Sequence, residues 1–73
     1  GGKVEALEFI VKCECSFTNV PLRELRTKKN NLIACIGRKR QIIIPNGEDH
    51  LEVGDSVVVV TMDHVDKFND ILE

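Results

Sequence analysis

From Leu7 onward every odd position carries an apolar side chain or a cysteine: Leu7, Phe9, Val11, Cys13, Cys15 and Phe17. Glu8, Lys12, Glu14 and Ser16 fill the even positions, and Ile10 is the one break. A period of two over this length predicts a half-buried β-strand from Val4 to about Cys15. That is longer than the usual five or six residues. The pattern changes at Ser16 to Asn19. Pro21 suits the first position of a helix, where its missing N–H needs no partner. Leu22 and Leu25 stand three apart, and Arg26 to Asn31 is polar throughout, so the predicted helix has one or two turns. Lys and Arg in its last turn complement the helix dipole.

The second half has no alternation. Leu32 to Ile36 is a continuous apolar run ended by Gly37, and Ile42 to Ile44 resumes it. This predicts a β-hairpin looping through Gly37 to Arg40. Pro45-Asn46-Gly47-Glu48 and Val53-Gly54-Asp55-Ser56 carry turn chemistry, and Val57 to Val60 reads as the fourth strand. Asp63 then looks like an N-cap, with Asp66 three residues on. Val65, Phe68, Ile71 and Leu72 form the apolar stripe of a terminal helix. The expected fold is α+β, in the order β-α-β-β-β-α, with a mostly antiparallel sheet. Strands apolar on both pleat faces need cover on both sides. The two helices cover one side, and a second subunit is the economical cover for the other.

Composition sharpens this picture. A chain of 73 residues makes one small domain. At this size folding buries only about 60% of the surface the unfolded chain exposes, and cores this small are often completed by a partner. The 42% hydrophobic content is that of a globular protein. A net charge of −2 argues against a general nucleic-acid binder. No apolar run approaches the ~18 residues that span a membrane. Gly1-Gly2 reads as a cloning scar or linker, and the chain starts without Met. Both features predict a piece cut from a longer protein, with the domain itself at 3–73.

Candidate chemistry is sparse. Cys13, Cys15 and Cys35 could bind a metal with His50 or His64, but Cys-x-Cys without a second pair departs from zinc-site spacing. Free cysteines packed as small hydrophobes fit better, and imply a reducing compartment. No nucleophile, base and orienter stand in register, so no catalytic residue and no enzyme activity is expected. Glu48, Asp49, Glu52 and Asp55 could supply oxygens to a hard cation. A solvated loop whose Asp55 hydrogen-bonds its own turn explains them better. Arg38-Lys39-Arg40 could hold a phosphate, although a basic hairpin tip is more often just solvated. No glycine-rich phosphate loop is present.

Pro21-Leu22-Arg23-Glu24-Leu25, Leu32-Ile33-Ala34-Cys35-Ile36-Gly37-Arg38, Ile43-Ile44-Pro45-Asn46-Gly47 and Leu51-Glu52-Val53-Gly54-Asp55 follow one another in order, then the valine strand. With the opening strand, this series resembles the TrkA C-terminal domain (RCK-C) family of potassium-uptake regulatory proteins. The resemblance covers nearly the whole chain. It implies a cytoplasmic, ligand-sensing regulatory domain, peripheral to the inner membrane, that pairs as a homodimer. It implies as partners an upstream nucleotide-binding Rossmann domain and a membrane potassium transporter that the protein gates. No NAD, ATP or other cofactor is expected in this segment, and no contact with nucleic acid. Some relatives bind a cyclic dinucleotide at the dimer interface through an Arg and an Asn in a longer segment. Here Arg26 and Asn31 are the only stand-ins, at a different spacing. With Arg38 and Arg40 they are the candidate ligand-binding residues. Related domains in other cation transporters and antiporters are the alternative setting, and a small Cys/His metal protein is the rival class.

Overall fold

The structure, a computed structural model, describes residues 3–73; Gly1 and Gly2 lie outside the described residues. Four strands form one sheet: β1 (Glu5–Ile10), β2 (Asn31–Arg38), β3 (Gln41–Ile43) and β4 (Ser56–Thr61). The order across the sheet is β1-β4-β2-β3, with every pairing antiparallel. The expected small α+β fold with an antiparallel sheet is what forms. The valine strand becomes an inner strand, as its β-branched side chains favour.

The helices are smaller than expected. Leu22–Glu24 and Phe68–Ile71 are single 3₁₀ turns, and among the described residues no α-helix occurs. Asp63 does not cap a helix, because its carboxylate accepts Asn31 Nδ2 at 2.8 Å. Asp70 instead accepts the N–H groups of Asp66 and Lys67 at 3.0 and 3.1 Å, and these bonds hold its carboxyl below the ordinary carboxylate range. The last residues then run extended. Lys28 N–H donates to the Ile71 carbonyl at 2.6 Å and Glu73 N–H to the Arg26 carbonyl at 2.8 Å. Backbone pairing with residues 26–28 replaces the helical bonds a terminal helix would need.

The first strand is also shorter than its alternation. β4 begins at Ser56, so β1 has no partner beyond Ile10. Val11 still bonds the turn ahead of β4, donating to the Asp55 carbonyl at 2.9 Å and accepting from Gly54 N–H at 2.8 Å. The chain then closes a tight turn in which Thr18 Oγ1 accepts Cys15 N–H at 3.0 Å.

The core lies on one side of the sheet. Val57 and Val59 of β4 and Ile36 of β2 meet Leu51, Phe68, Ile71 and Val11 there, all buried. Phe68 stacks edge-on to Phe9 and tilted on Phe17, at ring-centre distances of 6.2 and 4.7 Å. Two long connections roof this core and bond each other. Asn19 N–H reaches the Leu51 carbonyl at 2.8 Å, and Leu22 N–H reaches that of Asp49 at 2.8 Å. Loop and 3₁₀ backbone thus do the covering assigned to helices.

Candidate functional site

Among the described residues, nothing roofs the opposite side of the sheet. Pairing fixes which residues face it. Ile36 and Phe9 lie opposite Val57 on the core side, while Glu8 and Cys35 lie opposite Val58 on the other. Three rows cross this open face: Ile10, Ser56, Gly37 and Ile42; then Glu8, Val58, Cys35 and, by continuation, Ile44; then Ala6, Val60 and Leu32. A bulge at Ala34, between Ile33 and Cys35, sets this arrangement. An extra residue inverts the parity of the strand beyond it, so Ile33 and Ile36 share the core side.

The exposed large hydrophobic side chains are Val4, Ile10, Leu32, Ile42, Ile44, Val53 and Met62. All except Val53 fall on this face when the pleat is continued past the strand ends. Leu32 is 62%, Ile42 78% and Ile44 76% exposed. Apolar groups gathered on one face mark an interaction site, whereas scattered ones need no explanation. The strands present a single charged side chain here, Glu8, at the β1 margin, where it accepts a hydrogen bond from Ser56 Oγ.

A second constellation sits at the far end of β2, on the core side. Arg38 Nε and Nη2 donate to Asp55 Oδ1 and Oδ2, each at 2.9 Å. Nη2 also donates to the His50 carbonyl at 2.8 Å, and Nη1 lies 3.2 Å from Glu52 Oε2. The carboxylate of Glu52 lies 2.7 Å from His50 Nε2, and Glu52 N–H donates to Asp55 Oδ2 at 2.8 Å. Asp55 is 1% exposed and Arg38 22%. Burial pushes the Asp55 carboxyl up, but the Arg38 guanidinium and the Glu52 N–H outweigh it and hold it below its ordinary value. Hydrogen bonding to Asp55 likewise raises the Arg38 guanidinium against the effect of burial. Asp55 does bond its own turn, but as a buried anchor, not in a solvated loop.

The structure does not gather the four candidate ligand residues within one copy. Arg38 is held by the Asp55 network. Asn31, at the opposite end of β2, bonds Asp63 and the Lys29 carbonyl and accepts Thr61 Oγ1. Arg26 borders a groove of about 320 Å³ with Ser16, Phe17, Glu24 and Glu73. Arg40 is exposed in the hairpin turn. The eight residues of β2, about 25 Å of strand, separate Arg26 and Asn31 from Arg38 and Arg40. A shallower groove of about 220 Å³ lies beside Leu32, lined by Leu22, Leu25, Ile33 and Pro45 among others.

The thiols depart from expectation. Cys13 and Cys15 are exposed and only Cys35 is half-buried, because the strand that was to bury the first two ends at Ile10. Among the described residues no three His, Cys, Asp or Glu side chains stand together as metal ligands, and no helix is long and apolar enough to cross a membrane.

The model of the TrkA-C domain family matches residues 6–73. The chain belongs to the TrkA-C domain family. Among its relatives, a Trk system potassium uptake protein TrkA homolog 2 of Methanosarcina mazei is 30% identical over 60 residues. A TrkA homolog 1 of the same organism is 32% identical over 59 residues. These matches take in 82% and 81% of the chain but only 13% and 14% of the relatives. The TrkA-C domain therefore spans about an eighth of the length of the curated relatives it matches.

The open face was the part of the site hardest to see in sequence. Unbroken apolar runs signalled two-sided strands, but they could not say which side chain faces which way, since the bulge at Ala34 leaves no mark in an all-apolar segment. Arg38 was also misplaced by sequence reasoning, as a tip cation. Its even spacing from Ile36, a core residue, was the available signal.

Proposed function

We propose that this TrkA-C domain is a non-catalytic regulatory module of a Trk-type potassium-uptake protein. It works in the cytoplasm, where its parent joins a nucleotide-binding Rossmann domain and gates a membrane potassium transporter. It pairs with a second copy of itself, and a ligand acts by binding one paired arrangement better than another. Arg26 and Arg40 are the candidate ligand residues whose guanidinium groups make no ion pair among the described residues. Their separation along β2 suits a ligand that touches more than one copy.

The observation that carries this reading is the family match over residues 6–73, together with the uncovered apolar face. The names of the relatives supply the transport system. Potassium uptake, followed with rubidium, in cells lacking their own uptake systems tests it. Removing the domain from the parent should abolish regulated uptake while the parent stays at its normal level. Uptake and its regulation unchanged by the removal would overturn the reading.

A further inference from the structure

We infer that Cys13 and Cys15 are a reversible dithiol–disulfide pair, oxidised by low-molecular-weight disulfides such as glutathione disulfide. The site is independent of the association and ligand binding proposed above.

The first support is reach. Residues two apart in a chain have Cα atoms at most about 7 Å apart, and disulfides bridge Cα separations of about 4.4–6.8 Å. Covalent connectivity alone therefore holds Cys13 and Cys15 in or near bridging range. The chain also bends at Cys13, so it is not drawn out to its full length there.

The second support is freedom of the backbone. β1 ends at Ile10. Val11 is bonded to the turn ahead of β4, and Cys15 is bonded to Thr18 through both its N–H and its carbonyl. Between these anchors the backbone groups of Lys12, Cys13 and Glu14 make no hydrogen bond among the described residues. A disulfide here closes a short ring around Glu14, which demands particular dihedral angles of these residues. They can turn to meet that demand without breaking a bond of the sheet.

The third support is access. Both thiols are exposed, whereas Cys35 is half-buried. Exchange needs a thiolate that a small disulfide can reach, and exposed or strained disulfides are the labile, regulatory ones. One thiolate of the pair attacks a sulfur of glutathione disulfide, forming a mixed disulfide and expelling one glutathione thiolate. The second cysteine thiolate attacks the protein sulfur of that mixed disulfide and expels the other. The protein loses two electrons and two protons, and glutathione disulfide is reduced to two molecules of glutathione.

The ring would be felt in the core. Cys15 is joined to Thr18, which is 7% exposed, and Phe17 between them leans on Phe68. A shift of Cys15 on closure is passed through this turn to the aromatic cluster.

Equilibrating the 73-residue chain with mixtures of reduced and oxidised glutathione, then quenching with acid and measuring intact mass, tests the pair. The wild type should lose the two thiol hydrogens and carry no glutathione, with its remaining free thiol mapped to Cys35. Dithiothreitol should restore the reduced mass. Cys13→Ser and Cys15→Ser should each keep glutathione on the thiol left behind, and their exposed positions let both fold. Oxidation of the wild type should shift the amide resonances of Phe17, Thr18 and Phe68 and leave those of Lys39 to Ile43 in place. A wild type that stays reduced at every ratio, retains glutathione on both cysteines, or forms a disulfide that includes Cys35 would overturn the pair. A ring that closes without moving the Thr18 and Phe68 resonances would overturn its coupling to the core.

Discussion

At the scale of single residues, the most informative pair is Arg38 and Asp55. Two parallel hydrogen bonds of 2.9 Å join a half-buried guanidinium to a buried carboxylate. A charge left buried without its partner is costly. Asp55→Asn should lower the free energy of unfolding by about 2 kcal/mol, short of the roughly 3–5 of a fully enclosed pair because Arg38 keeps some contact with water. The folded carboxyl titrates below its unfolded value. Its contribution is therefore complete above the unfolded Asp value of about 3.9, and is lost as pH falls from there through the folded value. Denaturant titrations of both proteins should show the wild-type advantage steady near neutrality and shrinking below about pH 4. Gly54 isolates a different effect. Its φ of +97° disfavours any side chain, while the space around its missing Cβ is empty. Gly54→Ala should thus destabilise by about 1 kcal/mol through backbone conformation alone, with no packing change visible in the spectrum of the core.

At the scale of elements, the hairpin joining β2 and β3 is built against local preference. Lys39 and Arg40 both have positive φ, 48° and 65°, as a two-residue turn of the mirror type requires, where Asn-Gly is the usual solution. Replacing Lys39-Arg40 by Asn-Gly should stabilise the domain by about 1 kcal/mol, read as a higher denaturation midpoint with the same slope. Both turn residues are exposed, so no core packing is lost. The 3₁₀ turn at Phe68–Ile71 behaves oppositely. It has little stability of its own and is held by Phe68 and Ile71 in the core, so Phe68→Ala should cost about 3 kcal/mol or more. These cases explain how much was legible beforehand. The apolar identity of the strands, the turns at Pro45 and Gly54, and the stripe of Val65, Phe68, Ile71 and Leu72 were readable as patterns. Their lengths were not. Where β1 stops depends on where β4 starts, and whether residues 63–73 coil or extend depends on residues 26–28 lying alongside. Neither fact is local to the segment concerned.

At the scale of the whole molecule, the described residues of one copy make a half-closed structure: a sheet with a roof and no floor. Its single-copy stability is limited by the apolar surface left in water, so association should add to it directly. Melting temperature is then a function of protein concentration. Calorimetry should find it rising by about 3–5 °C for each tenfold increase once the dimer predominates, and a melting point that ignores concentration would separate folding from pairing. The candidate ligand residues were legible only as a list. Their distribution over both ends of β2 appears only when the sheet is assembled.

The extra residue at Ala34 has a consequence for changes of length. With Ile36 and Arg38 kept in place, deleting Ala34 would turn residues 31–33 over. Leu32 would be driven inward, and Ile33 and Asn31 outward, so Asn31 would release Thr61 and Asp63 while one end of the outer surface changed its chemistry. A substitution at Ala34 leaves all of this untouched. Shortening by one amino acid should therefore harm this strand far more than any replacement there.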